Sequence, residues 1–211
     1  MSDLFSDKNM LHPLPLRGAE VFYARYFDLG QDPICLMQRL IVEVPWRAEN
    51  VVVWGKSYPQ PRLIAWFGDA GRGYQYSGVK LNPLPWSALL LSVKRRVEQL
   101  VGVDFNSVLL NYYRDNRDSM GFHSDEEKEL GKRPIIASLS LGQGRVFILK
   151  SKQDTAGKSI KLKLESGSLL LMKGDTQKNW KHGIEKEKRP CGPRVNLTFR
   201  RINADDGLVG K

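Results

Sequence analysis

Seven residues near the C-terminal end, Arg194-Val-Asn-Leu-Thr-Phe-Arg200, alternate polar and apolar side chains without a break. A period of two is that of a β-strand, so Arg194, Asn196, Thr198 and Arg200 share one face and Val195, Leu197 and Phe199 the other. The apolar face calls for a core. The polar face carries two guanidinium groups, and burying charge without a partner is costly, so this strand has to fold where something anionic meets it. Further runs of strand character, at 107–114, 135–141, 145–150, 160–164 and 168–173, lie between Gly, Asp and Lys turns, and the last strand is expected to reach residue 202.

The first half reads differently. Asp32 before Pro33 is an N-cap followed by the residue favoured at the first helical position, which predicts a helix from 33 to about 41, ended ahead of Pro45. A second helix is expected over 86–101. Leu89, Leu90, Val93, Val97 and Leu100 form one stripe on it, Lys94, Arg95 and Glu98 lie opposite, and Gly102 stops it. Early helices followed by many short strands predict an α+β fold, mainly β: a double-stranded β-helix, or jelly roll, backed by N-terminal helices. The 211 residues suffice for one core, so residues 21–202 are expected as a single domain, 1–20 as a flexible arm and 203–211 as a frayed tail.

Cys35 and Cys191 are too few to suggest a disulfide framework. The start of the chain has no apolar run of signal-peptide length, and runs such as Leu169-Leu-Leu-Met172 are too short to span a membrane. A monomer without membrane contact is expected, in a bacterial cytoplasm because no basic targeting tail precedes the domain, or in a nucleus if the source is eukaryotic. The formal charge is +10, with 12 basic against 9 acidic residues over 1–100 and 21 against 14 over 101–211. That excess favours a polyanionic partner. Lys158, Lys161 and Lys163, Lys178 and Lys181, and Lys186, Lys188 and Arg189 form clusters that fit phosphate contacts or ordinary solvated faces equally well.

Two of the three histidines fall in one constellation, His123-Ser124-Asp125 followed by His182. Alone, a His-x-Asp is more often a surface turn. Two imidazoles and a carboxylate suit Fe(II), since three ligands leave further positions open for a co-substrate and dioxygen. Zinc is the competing metal, but the His-Glu-x-x-His spacing of many zinc hydrolases is absent. Arg194 and Arg200 supply the forks that hold a dicarboxylate such as 2-oxoglutarate. Their α-carbons stand roughly 20 Å apart on an extended strand, so either both lean inward or one supports the site indirectly. Strand period puts Asn111 and Tyr113 on a shared face that could line the same pocket.

Asn111-x-Tyr113, His123-x-Asp125-x-Glu127, His182 and Arg194-x-Asn196-x-Thr198-x-Arg200 together resemble the AlkB-type dioxygenases, most of all the duplex-DNA repair branch, the AlkB homologue 2 type. Pro61-Arg62, Phe67-Gly-Asp-Ala-Gly71 and Tyr74-x-Tyr76-Ser77-Gly78 extend the likeness, which covers roughly residues 50 to 202. The resemblance implies that His123, Asp125 and His182 bind iron. It implies that Asn111, Tyr113, Arg194, Asn196, Thr198 and Arg200 hold 2-oxoglutarate, with Arg194 on its distal carboxylate. It also implies nucleotide-recognition hairpins within residues 51–78. There Val53 and Trp54 would belong to a finger filling the gap left by a flipped base, and Tyr74, Tyr76, Ser77 and Glu127 would shape the lesion pocket. Cationic bases such as 1-methyladenine and 3-methylcytosine suit tyrosines and a carboxylate. The activity implied is oxidative demethylation of DNA with release of formaldehyde, coupled to conversion of 2-oxoglutarate and O2 to succinate and CO2. The rivals are the same chemistry on RNA, a basic binding module without catalysis, and a small-molecule or protein hydroxylase, which the +10 charge disfavours.

Overall fold

A computed structural model describes residues 8–53, 56–70, 74–76, 79–81, 83–153 and 159–203. Strands β1 (His12–Pro13) and β2 (Glu20–Ala24) lead to helix α1 (Pro33–Glu43), then β3 (Asn50–Val53), β4 (Lys56–Pro59), β5 (Leu63–Gly68), β6 (Tyr74–Tyr76) and β7 (Val79–Leu81). Helix α2 (Ala88–Val101) precedes β8 (Ser107–Tyr113) and β9 (Met120–His123). There follow β10 (Ile136–Gly142), β11 (Arg145–Ser151), β12 (Ser159–Leu164), β13 (Ser168–Lys173), the short α3 (Thr176–Asn179), β14 (Trp180–Ile184) and β15 (Arg194–Arg200).

The helix ends follow from their caps. Asp32 accepts from the backbone N–H groups of Ile34 and Cys35 at the start of α1, and Ser87 accepts from Leu90 N at the start of α2. Gly102 closes α2 in the left-handed conformation, φ 74°.

Two antiparallel sheets face each other, as a jelly roll requires. The larger has seven strands in the order β1-β2-β13-β10-β15-β8-β5, the smaller four in the order β12-β11-β14-β9. Alternation divides the large sheet between two cores. Val108 and Leu110, Ala137, Leu139 and Leu141, Leu169 and Leu171, and Val195, Leu197 and Phe199 pack with Leu36, Leu40, Leu90, Val93 and Val97 of the two helices. The other face of the sheet meets the small sheet around Tyr113, Ile136, Phe147, Leu149, Leu170, Met172 and Trp180. β15 is buried along its whole length because both of its faces are covered.

Three expectations need correction. Residues 8–20 are not a loose arm: β1 pairs with β2, Leu16 is buried, and the Trp180 indole donates to the carbonyl of Arg17 at 3.0 Å. The last strand ends at Arg200, where Ile202 turns away to exchange hydrogen bonds with the Asn106 side chain. Strands β9 and β14 complete the small sheet although neither was expected as a strand. Residues 204–211 lie outside the described residues, and no described helix is long and apolar enough to cross a membrane.

Candidate metal centre

His123 ends β9, Asp125 follows it by two residues, and His182 sits in β14, directly opposite His123 in the ladder. The register shifts at a bulge between His182 and Ile184, and Gly183 lies inside it. A Cβ on Gly183 would stand 2.9 Å from the carbonyl oxygen of Met120, so only glycine lets the two strands approach this closely. The His123 and His182 rings meet edge to face with centroids 4.5 Å apart. One donor atom from each of His123, Asp125 and His182 lies within 4.8 Å of the others, and this is the one such group among the described residues.

Each ligand is held by a specific contact. His123 Nδ1 donates to the carbonyl of Gly121 at 2.9 Å, which leaves Nε2 as the lone-pair nitrogen, 3.6 Å from Asp125 Oδ1. Asp125 Oδ2 accepts from Arg200 Nη2 at 3.0 Å, and the Asp125 backbone N–H donates to Gln177 Oε1 at 3.0 Å. His182 stacks against Phe147, centroids 5.2 Å apart. Burial acts to raise the Asp125 carboxyl, but the Arg200 charge and then the two imidazoles outweigh it and hold the pKa down at about 2. Burial first, then the neighbouring His123, pushes His182 down to about 3, so it is neutral, the form that binds metal.

A cavity opens beside these ligands, walled by Tyr113, Ser138, Arg194, Asn196, Thr198 and Arg200. Arg194 is 1 % exposed, lies over the Tyr113 ring at 4.9 Å, and donates through Nη2 to Ser140 Oγ at 3.0 Å. Its Nε and Nη1 are buried without a partner, as are Asp125 Oδ1, His182 Nδ1 and Asn111 Nδ2. Buried polar atoms are nearly always hydrogen-bonded, so the orphaned atoms of Arg194, Asp125 and His182 around one cavity mark the place of a charged guest. Burial lowers the pKa of Arg194, with Tyr113 opposing, as expected of a cation kept from water and lacking an anion. The residues fit Fe(II) with a dicarboxylate beside it.

The β15 polar face divides its labour more finely than its pattern suggests. Arg200 braces the Asp125 carboxylate, whereas Arg194 keeps two donors for a guest. Thr198 donates to Asn196 Oδ1, and Asn196 Nδ2 donates to Ser138 Oγ and to the carbonyl of Leu139, so these two form the cavity wall with their polar atoms engaged. Asn111 Oδ1 accepts from Arg62 Nε at 2.7 Å. Glu127 is half-buried with Oε2 unpartnered, lining a recess beside Asp125. Val53 falls in β3, and Tyr74 and Tyr76 in β6; Trp54 and Ser77 lie outside the described residues.

Sequence reasoning missed Ser138, Ser140, Gln177 and the role of Arg62. The serines were legible, since the period of two in β10 puts them opposite Thr198 and Asn196. Gln177 carries no signal, being set by the short α3 far along the chain from Asp125.

Residues 30–200 match the model of the 2OG-Fe(II) oxygenase superfamily. The chain is 40% identical over 191 residues to the rat alpha-ketoglutarate-dependent dioxygenase alkB homolog 3, covering 87% of this chain and 64% of that protein. It is 44% identical over 160 residues to the mouse DNA oxidative demethylase ALKBH2, covering 72% and 66%. The chain thus spans just under two thirds of the length of these curated relatives. The solved structure of OsALKBH1 superposes with a TM-score of 0.61 at 18% identity, covering 89% of this chain and 100% of that one, which supports the fold. Family members use Fe(II), 2-oxoglutarate and O2, which agrees with a His-Asp-His triad and an arginine-walled cavity. The chain belongs to the 2OG-Fe(II) oxygenase superfamily and is of the AlkB type.

Proposed function

We propose that this protein oxidatively removes N-methyl groups from nucleic-acid bases, 1-methyladenine and 3-methylcytosine in DNA in particular, as a repair activity. The carrying observation is the triad of His123, Asp125 and His182, with His182 neutral and Asp125 ionised, set beside Arg194, whose two unpartnered donors await an anion. Likeness to relatives named dioxygenase and DNA oxidative demethylase supports the reading.

When bound, Fe(II) with 2-oxoglutarate would supply activation of dioxygen for oxidising a methyl C–H bond; the hydroxylated methyl then leaves as formaldehyde. The chain's own part is to bind, orient and exclude. His123, Asp125 and His182 would hold the metal, with Arg200 keeping the carboxylate ionised and aimed. Arg194, steadied by Tyr113 and Ser140, would hold the distal carboxylate of 2-oxoglutarate, and Asn111 Nδ2 offers a further donor. Met172, Phe147 and Ile184 line the same cavity and shield it from water. Glu127 Oε2 would accept from the exocyclic amine of the target base. Val53, Trp54, Tyr74, Tyr76 and Ser77 would provide the finger and the stacking walls that admit a flipped base.

The test is formaldehyde and succinate release, with Fe(II) and 2-oxoglutarate, from oligonucleotides carrying one lesion as duplex DNA, single-stranded DNA or RNA. Stoichiometric release from methylated DNA is expected. Succinate without formaldehyde on every nucleic acid would sink the demethylase reading.

A further inference from the structure

The small sheet has a second face. Phe147, Leu149, Trp180, His182 and Ile184 point inward, so alternation sends Lys150 on β11, Lys181 on β14 and Lys161 on β12 to the outside. Two of the clusters that are separate in sequence thereby contribute Lys161 and Lys181 to one surface, which Lys150 joins from outside any cluster, while Lys178 and Lys186 are not part of these strands. Lys150 stands directly opposite Lys181 in the ladder, and Lys161 lies one row away on the other side of β11. All three are exposed.

Like charges placed directly opposite across strands destabilise a sheet. Two acids near this face are already engaged, Glu165 by Lys163 at 3.0 Å and Glu126 by Lys152 at 2.6 Å. Among the described residues no ion pair joins Lys150, Lys161 or Lys181 to an acid. Instead Lys150 Nζ sits 3.6 Å from the centroid of the half-buried Phe122 ring, which β9 presents to the same side. Lysines with an aromatic among them, fixed on a sheet rather than on loop tips, match the surface that tracks a nucleic-acid backbone. This face is the reverse of the strands that carry His123 and His182, so only the thickness of one sheet separates it from the metal ligands.

We propose that Lys150, Lys161 and Lys181, beside Phe122, form a docking face for the phosphodiester backbone flanking the base that enters the cavity. This rests on the nucleic-acid reading above, but it is tested without turnover. The occupant is a polyphosphate strand; charge complementarity and the tolerated lysine opposition both point to it.

The experiment is a fluorescence-anisotropy titration of unmodified single-stranded DNA and of RNA of the same sequence against the full chain, without iron or 2-oxoglutarate, over a salt series. Poly-L-glutamate serves as an acidic-protein control. The variant K150Q/K161Q/K181Q should bind at least about ten-fold more weakly near 0.1 M salt, and the slope of log affinity against log salt should fall by about 2. K181E should weaken binding while raising Tm by about 1–4 °C, because it turns the Lys150–Lys181 opposition into an opposite-charge pair. An unchanged salt slope in the triple variant would overturn the proposal. So would a fall in Tm with unchanged binding in K181E, which would make Lys181 a packing residue. Equal or stronger lysine-dependent binding of poly-L-glutamate would assign the face to an acidic protein and also overturn it. Lysine-dependent binding without formaldehyde release would sink the demethylase reading alone, and turnover with lysine-independent binding would sink this one alone. The DNA and RNA arms show which backbone the face prefers.

Discussion

The two faces of the seven-stranded sheet are made by the same strands and do opposite things. Toward the helices, β10 and β15 present Ala137, Leu139, Leu141, Val195, Leu197 and Phe199, all fully buried and all apolar. Toward the small sheet the same strands present Ser138, Ser140, Arg194, Asn196, Thr198 and Arg200, all likewise buried, with Arg194 donors left open. Burial alone therefore does not distinguish core from site. The difference lies in satisfaction: one face has no polar atom to satisfy, while the other holds atoms that wait for a guest, a standing cost that its opposite face offsets through apolar burial.

Substitutions on each face sharpen that contrast. The largest effect is expected from His123→Ala, which should cut formaldehyde release at least about a thousand-fold with little loss of stability, because a half-exposed ring is removed. Asp125→Ala should be as inactive and in addition lose about 3 kcal/mol in denaturant unfolding, since Arg200 is then a buried cation without its carboxylate. Equal stability of the two variants would break the account of Arg200 as a brace. On the helix side, Leu197→Ala should cost about 3 kcal/mol yet keep Fe(II) affinity, measured by anaerobic titration. Lost metal binding at unchanged stability would mean the two faces are not separable. Arg194→Met should weaken 2-oxoglutarate binding by about 10- to 100-fold in calorimetry while iron affinity holds.

A pH dependence of the metal-free protein is also expected. His182 titrates at about 3 when folded against an ordinary 6.5, so between those values the unfolded chain binds a proton that the folded chain does not. Stability should therefore fall as pH drops from about 6.5 toward 3. Asp125, lowered from 3.8 to about 2, adds stability that is present above 3.8 and lost as pH falls through 2. His182→Gln should flatten the upper part of this profile in urea midpoints; an unaltered profile would remove His182 as its source.

The sequence made the helix ends and the long strands legible because those signals are local. Asp32, Ser87 and Gly102 act within one turn, β15 alternates over seven residues, and β8, β10 and β13 are strand-rich runs of six or seven residues. β9 and β14 escaped because Met120–His123 and Trp180–Ile184 are short, contain Gly121 and Gly183, and become strands only through long-range pairing, β14 with β11 and β9 with β14. The ligands were thus readable from residue type and spacing although the strands that carry them were not. The spacing raised the split between Arg194 and Arg200, but that Arg200 is the one supporting the site was out of reach of the pattern. It depends on Asp125 folding back to the end of β15, a long-range contact that leaves the alternation pattern unchanged. The two ends of residues 8–20 show the same limit, since prolines made that stretch look loose while its partners lie in β2 and at Trp180.

β15 spans the cavity as a ruler. One end carries the guanidinium open to a guest and the other the guanidinium tied to Asp125, and both line the same cavity, so a single strand register places the anion anchor and the metal brace together. Sliding that ruler by a single notch would turn Val195, Leu197 and Phe199 into the cavity and expel all four polar residues together. Metal brace and anion anchor are thereby gained or lost as one unit, with no half-built intermediate for the chain to occupy.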